Sequence, residues 1–362
     1  MTVDIPAGWQ EALSGIIGAG GTCMVVGPVD AGKTTLCAVL AAEALKAHVK
    51  VALVDADPGQ SDIGPPAAVG AAVVQHARQL EELESIPADA LSFVGTTSPP
   101  GHLLQLTAAT HDMVAHARAA GARLTIVDTT GLVDGGFARA LKAAKVDLLR
   151  PRHIVALQHQ DEVEHLLAPY RKRDEPRIWR LRASRRAQAR DRDQRKAKRE
   201  RRFAAYFASA TGHELSWGDV GLEQTPWLTG EPAPGHLAAY VEELAQGEVL
   251  HAERLETGVF AIVKGLPGAA HRNIEAPGRS DSASRPYRVR AIDAGLLQNL
   301  LVGLIDASGH TLAMGIMMRV DFKRRRFALR APLRNLEQVR SLRLGSMRVG
   351  ADGVELGHGE IA

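Results

Sequence analysis

Two short segments near the amino terminus combine residue types that handle phosphate. Residues 27–34 read GPVDAGKT, which fits the phosphate-binding pattern GxxxxGK[ST]. Gly27 and Gly32 allow the backbone to curl so that successive N–H groups point at one anion. Lys33 is expected to reach the β- and γ-phosphates, and Thr34 to place its hydroxyl on Mg²⁺. The sequence therefore predicts a nucleoside triphosphate site formed by Gly27, Pro28, Val29, Asp30, Ala31, Gly32, Lys33, Thr34 and Thr35.

The second segment, DADPGQ at residues 55–60, follows the apolar run Val51 to Val54. One acid at such a strand end holds Mg²⁺ in phosphate-loop proteins, and we assign that metal contact to Asp55. A second acid is useful when the acceptor is a hydroxyl that must lose its proton, which favours a kinase over a simple ATPase. We assign this role to Asp57. Gln60 could orient phosphate or water, and either acid could instead cap the following turn.

A third segment, DTTG at residues 128–131, follows the apolar run Leu124 to Val127. Asp128 could supply a further contact to Mg²⁺ or its water, or it could cap the strand end. The segment resembles the DxxG of GTPases, but the sequence has no NKxD-type signature for guanine. A guanine-specific switch is therefore disfavoured.

The elements that must position these residues are visible in the apolar pattern. Short apolar runs at 23–26, 51–54, 124–127 and 154–157 alternate with helical segments such as 34–47, which predicts parallel strands buried on both faces. Such an α/β fold places functional residues at the carboxyl ends of its strands. Residues 171–207 read as helical. Beyond residue 212, strand-like stretches at 300–305, 311–322 and 326–329 predict a smaller, mainly β domain. We expect a core at 1–170, an arginine-rich helical lid at 171–212 and a C-terminal domain at 213–362.

Charge is distributed unevenly along the 362 residues. The net charge is +3, yet residues 171–202 carry sixteen Lys or Arg against five Asp or Glu. This cationic segment favours a polyanionic partner. The two cysteines, Cys23 and Cys37, are expected to be buried and reduced. No apolar run reaches the ~18 residues of a membrane helix. We expect no membrane association and a cytoplasmic location, or a nuclear one in a eukaryote.

Taken together, these segments resemble a known family, the polynucleotide 5′-hydroxyl kinases of the Clp and Grc type. The resemblance rests on GPVDAGKTT, DADPGQSDIGPP and VDTTGLVDG, and on the arginine-rich segment that ends at Tyr206 and Phe207. It covers about residues 15–362, and the chain looks most similar to the compact prokaryotic members.

The resemblance implies further roles. Asp57 matches the carboxylate that positions or deprotonates the 5′-hydroxyl, and the lid arginines of the family correspond by spacing to Arg190, Arg195 and Arg199. One departure is informative, because Leu132 stands where eukaryotic members have a Trp that stacks on the terminal base. We expect Leu132 to lie at the nucleic acid, where either the base contact is weaker or another aromatic side chain supplies it. Trp179, at the entrance of the lid, is the candidate for that aromatic face, and the alternative is that its ring packs in the core.

The expected function is transfer of the γ-phosphate of ATP, with Mg²⁺, to a free 5′-hydroxyl end of RNA or DNA. Recognition is expected to centre on the 5′ end and the nearby backbone. Two other classes stay open at this point: an ATP-binding scaffold of an RNA-processing assembly, and a phosphate-loop NTPase switch or small-molecule kinase.

Overall fold

The computed structural model of the chain describes residues 8–184, 191–266, 271–276 and 287–359. It divides into two compact units, Met1–Arg202 and Phe203–Ala362. The strands of the first unit are β1 (Gly21–Val26), β2 (Val51–Ala56), β3 (Ala68–Val74), β4 (Ala90–Phe93), β5 (Leu124–Thr129), β6 (His153–Gln158) and β7 (Arg177–Arg182). Its helices are α1 (Trp9–Ala19), α2 (Lys33–Lys46), α3 (Leu103–Ala119), α4 (Gly135–Leu149) and α5 (Glu164–Leu167). Helix α6 (Arg192–Phe207) crosses the boundary between the units.

The first unit is built on one mostly parallel sheet. Its strand order is β4-β3-β2-β5-β1-β6-β7. Only β3 runs against its neighbours β2 and β4, while the other neighbouring pairs are parallel. The carboxyl ends of β1, β2, β4 and β5 therefore meet at one edge of the sheet. This confirms the α/β fold and the parallel strands that the apolar runs predicted.

The central strands are buried on both faces because each face carries a helical layer. In β1, Cys23 and Val25 join the apolar cluster that includes residues of α1 and α2, whereas Met24 and Val26 join the cluster of α3 and α4. Such doubly covered strands need continuous apolar runs rather than alternation. Cys23 and Cys37 are both buried free thiols. Burial raises the pKa of the Cys23 thiol to about 12, so it stays protonated at neutral pH.

The prediction that the arginine-rich segment is helical throughout is wrong at its beginning. Residues 177–182, with the sequence RIWRLR, form strand β7 and pair in parallel with β6. Trp179 and Leu181 of this strand are buried while its three arginines are exposed, which is the period of two expected of a strand at a sheet edge. The helical part is α6, and it begins at Arg192.

The second unit is mainly β, as the sequence predicted. Its strands are β8 (Thr211–Ser216), β9 (Gly221–Glu223), β10 (Glu231–Pro232), β11 (Glu248–Leu255), β12 (Gly258–Lys264), β13 (His271–Ala276), β14 (Tyr287–Asp293), β15 (Leu300–Ile305), β16 (Thr311–Asp321), β17 (Arg326–Ala331), β18 (Ser341–Val349) and β19 (Glu355–His358), and its own helix is α7 (Gly235–Ala245). One sheet has the order β19-β18-β15-β16-β17-β8, with β9 also paired to β18. The other has the order β10-β11-β12-β14-β13. Two buried rings, Trp217 and Trp227, pack edge to face in its core with centroids 5.3 Å apart.

None of the helices in the described ranges has the length and the continuous apolar surface that a membrane-spanning segment requires.

Candidate active site

The phosphate-binding loop joins β1 to α2, as the sequence predicted for Gly27 to Thr35. A Cβ at Gly27 would lie 2.3 Å from the carbonyl oxygen of Leu157, so only glycine fits where the loop leaves the sheet. Gly32 has a φ of 91°, a left-handed conformation that glycine adopts without strain, and it caps α2. Lys33 is 8 % exposed, and its Nζ donates to the carbonyl oxygen of Pro28 at 2.8 Å. The Lys33 side chain therefore folds back onto its own loop, and its ammonium group lies where the loop would bind the phosphates of a nucleotide.

Thr34 and Asp128 form an oxygen-rich pair at the start of α2. The Thr34 hydroxyl donates to Asp128 Oδ2 at 2.5 Å, although the two residues are 94 positions apart. Asp128 Oδ1 is buried and has no hydrogen-bond partner within the described ranges. Burial raises the pKa of Asp128 to about 6, against the opposing effects of the Lys33 charge and the Thr34 hydroxyl. A buried carboxylate oxygen without a donor, next to a hydroxyl, fits a hard divalent cation such as Mg²⁺.

Asp55 shapes the turn that carries Asp57. Its Oδ2 accepts hydrogen bonds from the backbone N–H groups of Asp62 (2.5 Å) and Ile63 (3.0 Å), and its Oδ1 accepts one from Asp57 (3.2 Å). Burial and the nearby charge of Asp128 raise the pKa of Asp55, while these backbone donors oppose the rise. The structure thus gives Asp55 the turn-forming role that the sequence left open, and Asp128 is the better placed of the two for a direct metal contact.

Asp57 and Gln60 lie on the turn that Asp55 holds. Asp57 Oδ1 accepts a hydrogen bond from the Gly59 backbone N–H at 3.0 Å, and the Gln60 N–H donates to the Asp57 carbonyl at 3.2 Å. Both side chains are half-buried. A Cβ at Gly59 would lie 2.7 Å from the carbonyl oxygen of Thr97, so the turn packs against the loop that leads to α3. Asp57 is therefore held at the carboxyl edge of the sheet, and its Oδ2 accepts no hydrogen bond from the described part of the chain.

The first half of α6 approaches the phosphate-binding loop. Arg195 Nη2 donates to Asp30 Oδ2 at 2.7 Å, an ion pair between residues 165 positions apart. Arg199 lies one turn further along the helix and is half-buried. Arg190, the third arginine predicted for this group, lies outside the described residues. The structure thus brings the Arg195 guanidinium to the site, next to the loop that would hold the triphosphate.

Sequence reasoning did not single out the contacts that hold α6 in place. Lys198 is 8 % exposed, and its Nζ lies 2.5 Å from Asp62 Oδ1 and 3.4 Å from Glu84 Oε1. Arg202 donates to the carbonyl oxygens of Glu84 (2.8 Å), Asp62 (2.8 Å) and Gly64 (2.5 Å). Because Asp62 also belongs to the turn that Asp55 shapes, the helix and the Asp57 turn share one set of contacts.

Two buried lysines of α4, also missed, lie behind the strand ends. Lys142 Nζ donates to Thr129 Oγ1 at 2.8 Å and to the Thr130 carbonyl at 2.7 Å. Lys145 is fully buried, and its Nζ has no hydrogen-bond partner among the described residues. Burial lowers the pKa of both ammonium groups, that of Lys145 to about 7. The available signal was their position on the apolar face of α4, where lysine is unusual: Lys142 is four residues from Ala138 and Val146, and Lys145 is four residues from Leu141 and Leu149.

The structure contradicts the expectation that Trp179 stacks on a base. Its ring is 8 % exposed, and its Nε1 donates to Nδ1 of His153, the first residue of β6. A Cβ at Gly15 of α1 would lie 2.6 Å from the ring. The ring therefore fills the core towards the amino ends of the strands, opposite the phosphate-binding loop. Leu132 is half-buried against the α3 and α4 layer, directly after the DTTG segment.

Comparison with known proteins decides the family. Residues 27–209 match the family model described as mRNA cleavage and polyadenylation factor CLP1 P-loop. This chain belongs to the CLP1 P-loop family. The match begins at the first glycine of the phosphate-binding loop and ends just beyond α6, so it contains the site residues described above.

Relatives of the family match over nearly the whole chain. A polyribonucleotide 5′-hydroxyl-kinase of Methanocaldococcus jannaschii is 30 % identical over 360 residues, covering 98 % of this chain and 95 % of its own. A polyribonucleotide 5′-hydroxyl-kinase of Thermococcus kodakarensis is 32 % identical over 340 residues, covering 93 % of this chain and 90 % of its own. Among solved structures, Clp1p in complex with Pcf11p superimposes with a TM-score of 0.59 at 15 % identity, covering 94 % of this chain and 78 % of that one. The last comparison supports the shared fold.

Proposed function

We propose that this protein is a polynucleotide 5′-hydroxyl kinase that transfers the γ-phosphate of ATP to the 5′ end of RNA. The observation that carries the proposal is the ion pair between Arg195 and Asp30, which sets the cationic helix α6 beside the phosphate-binding loop. A simple NTPase switch has no need of a positively charged helix at that place. The archaeal relatives, named as polyribonucleotide 5′-hydroxyl-kinases, support the same reaction and an RNA acceptor.

The donor half of the site is the loop with its lysine. Backbone N–H groups of the loop and the amino end of α2 bind the phosphates. Lys33 leaves the Pro28 carbonyl to contact the β- and γ-phosphates, and Thr34 with Asp128 would hold Mg²⁺. Bound there, the ion neutralises charge on the phosphate oxygens during transfer. Arg195 adds a fixed positive charge from α6, with Arg199 one turn behind it.

The acceptor half is the turn of Asp57. Its carboxylate accepts a hydrogen bond from the 5′-hydroxyl and takes the proton as the oxygen attacks the γ-phosphorus in line with the leaving ADP oxygen. Gln60, on the same turn, orients the phosphate or a water molecule. The contacts of Lys198 and Arg202 keep α6 and this turn in one arrangement, which favours transfer to the hydroxyl over hydrolysis. We place the reaction in the cytoplasm, or in the nucleus of a eukaryote.

Incubation of the protein with γ-labelled ATP and RNA or DNA oligonucleotides that end in a 5′-hydroxyl tests this proposal. We expect label on the RNA, and comparison with DNA defines the acceptor preference. Lys33→Ala and Asp57→Asn should each lower the rate by at least ~10²-fold. The exposed Asp147 on α4 provides a matched control, because Asp147→Asn changes a carboxylate remote from the strand ends and should leave the rate unchanged.

The other outcomes identify the competing functions. Release of ADP without labelled oligonucleotide would indicate an NTPase switch. Label on a small molecule alone would indicate a small-molecule kinase, and bound ATP that is never consumed would indicate a scaffold.

A further inference from the structure

The phosphate-binding loop contains an acid that anion binding does not require. Asp30 lies in the middle of the loop, between Val29 and Ala31, and its side chain is half-buried. The rest of the loop offers backbone N–H groups and the Lys33 ammonium to an anion. A carboxylate at this place repels the phosphates of a nucleotide and so opposes nucleotide binding. The presence of Asp30 therefore has to be explained by something other than affinity for the nucleotide.

The stability of the fold does not explain Asp30 either. Its backbone has a φ of 59°, a left-handed conformation that asparagine and glycine also adopt. The side chains of its ion pair with Arg195 are 22 % and 28 % exposed, and ion pairs with this much exposure add little to stability. Neither the backbone nor the ion pair thus favours an acid over a neutral residue for the sake of the fold.

The contact with Asp30 fixes the Arg195 side chain rather than helix α6. Lys198 and Arg202 already hold this helix against the Asp57 turn. The Arg195 side chain has several rotatable bonds of its own, and their freedom is lost when the guanidinium binds a ligand. Because Nη2 donates to Asp30 Oδ2 at 2.7 Å, the guanidinium is held in one orientation beside the loop before any ligand arrives. Charge that is oriented in advance stabilises a transition state more effectively than charge that must first be oriented.

The same guanidinium has a donor that is not used within the protein. Arg195 Nε is buried and has no hydrogen-bond partner among the described residues. A buried N–H group without an acceptor is costly and rare, and an acceptor from a ligand would explain it. A guanidinium is planar and carries five N–H groups, so it can donate to a carboxylate and to a phosphate at the same time. The terminal phosphate of a nucleotide in the loop would supply the missing acceptor.

We propose that Asp30 is a positioning residue that orients the Arg195 guanidinium towards the γ-phosphate, although its own charge opposes nucleotide binding. This rests on the proposed function, because it presumes that the loop holds the γ-phosphate that is transferred. Two effects of removing Asp30 follow. Phosphate transfer becomes slower, because Arg195 is no longer oriented. The affinity for ADP does not fall, because a repulsive charge is removed and ADP has no γ-phosphate for Arg195 to contact.

Steady-state kinetics with ATP and a 5′-hydroxyl RNA oligonucleotide tests the first effect. Asp30→Gly removes the carboxylate and suits the backbone, and it should lower kcat about 10- to 100-fold. Asp30→Asn keeps an acceptor oxygen for Arg195 and should lose less. In an Arg195→Ala background, Asp30→Gly should cause no further loss, since the two residues act as one unit. Asp193→Asn is the matched control, because this exposed carboxylate of α6 lies two residues before Arg195 and should not affect kcat.

Calorimetry with ADP and the non-hydrolysable analogue AMP-PNP, without RNA, tests the second effect. Asp30→Gly should bind ADP at least as tightly as wild type. Its preference for AMP-PNP over ADP should fall about 10-fold, as should that of Arg195→Ala, because a charge-assisted hydrogen bond to the γ-phosphate is lost. A variant that is merely damaged in the loop would instead bind ADP more weakly.

Three results would overturn the role of Asp30. These are weaker ADP binding by Asp30→Gly, a kcat of that variant at or above the wild-type value, and losses of kcat that multiply in the double variant. The calorimetric measurement does not depend on an acceptor. A wild-type protein that shows the expected nucleotide preference, and loses it in Asp30→Gly, but phosphorylates no RNA would refute only the kinase proposal.

Discussion

The buried amine of Lys145 allows a stability prediction with a definite sign. Burial lowers the pKa of this group from 10.5 to about 7, even though the charges of Asp55, Asp57 and Asp128 favour the ammonium form. Such a shift corresponds to about 5 kcal/mol of free energy lost on folding at pH 7 or below. The cost has no compensation from hydrogen bonds, because Nζ has no partner in the described part of the chain.

Lys145→Met removes this cost at nearly constant volume. The expected gain at pH 7 is about 1–4 kcal/mol, smaller than the full shift because the three nearby carboxylates lose a counter-charge. The gain should depend on pH. The unfolded chain binds more protons than the folded one between about pH 7 and 10.5, so the wild-type free energy of unfolding rises with pH in that window. The advantage of the Met variant should therefore shrink by about 3 kcal/mol between pH 7 and 9.5.

Lys142→Met is the matched control on the same helix. The Lys142 ammonium donates to Thr129 and Thr130, so its removal leaves buried acceptors without a donor and should cost about 1–3 kcal/mol. Urea unfolding followed by circular dichroism at pH 7 and 9.5 gives both free energies. Two results would refute the description of Lys145 as a buried and uncompensated amine. One is a Lys145→Met variant that is less stable than wild type at pH 7, and the other is a difference in unfolding free energy between variant and wild type that is the same at pH 7 and 9.5.

Three further predictions address the site. Gly131→Ala should weaken ATP binding in calorimetry about 5- to 150-fold, because the new Cβ would overlap the backbone of the phosphate-binding loop, whereas Gly136→Ala, which meets no neighbour, should bind normally. Arg195→Ala should lower kcat about 10²-fold with little loss of stability. An equally slow Lys196→Ala variant, at the exposed neighbouring lysine, would contradict a specific role of Arg195. The affinity of the ATP-bound protein for Mg²⁺, measured by calorimetry, should fall as the pH drops through about 6, where Asp128 takes up a proton. An affinity that does not change with pH would argue against Asp128 as the metal ligand.

The fold and the donor loop could be predicted because their signals are local. The apolar runs before Gly27, Asp55 and Asp128 became β1, β2 and β5, each with one bound as predicted and the other two residues further out. A run of buried β-branched and aliphatic residues has few alternatives to a central parallel strand. The prediction of a helix at residues 177–182 was wrong because the deciding signal is not local. The alternating arginines are compatible with a charged helix surface, and only pairing with β6 made the segment a strand.

The acceptor side and the electrostatics were less predictable. Trp179 precedes the cationic helix in sequence, yet its ring points to the amino ends of the strands, because a strand fixes the direction of each side chain and the sequence does not say which edge it faces. The two lysines of α4 looked like ordinary helix residues. Their burial depends on which face of α4 meets the sheet and on the packing of strands distant in the chain.

By itself, the sequence determined that this protein has a phosphate-binding loop between a strand and a helix, acids at two further strand ends, and a cationic segment for a polyanion. These are properties of contiguous residues, whose backbone geometry follows from glycine, periodicity and charge. Only the tertiary structure decided that Thr34 meets Asp128, that Arg195 meets Asp30, and that Asp55 shapes a turn. Such contacts join residues up to 165 positions apart, and their geometry exists only once the sheet has brought its carboxyl ends to one edge.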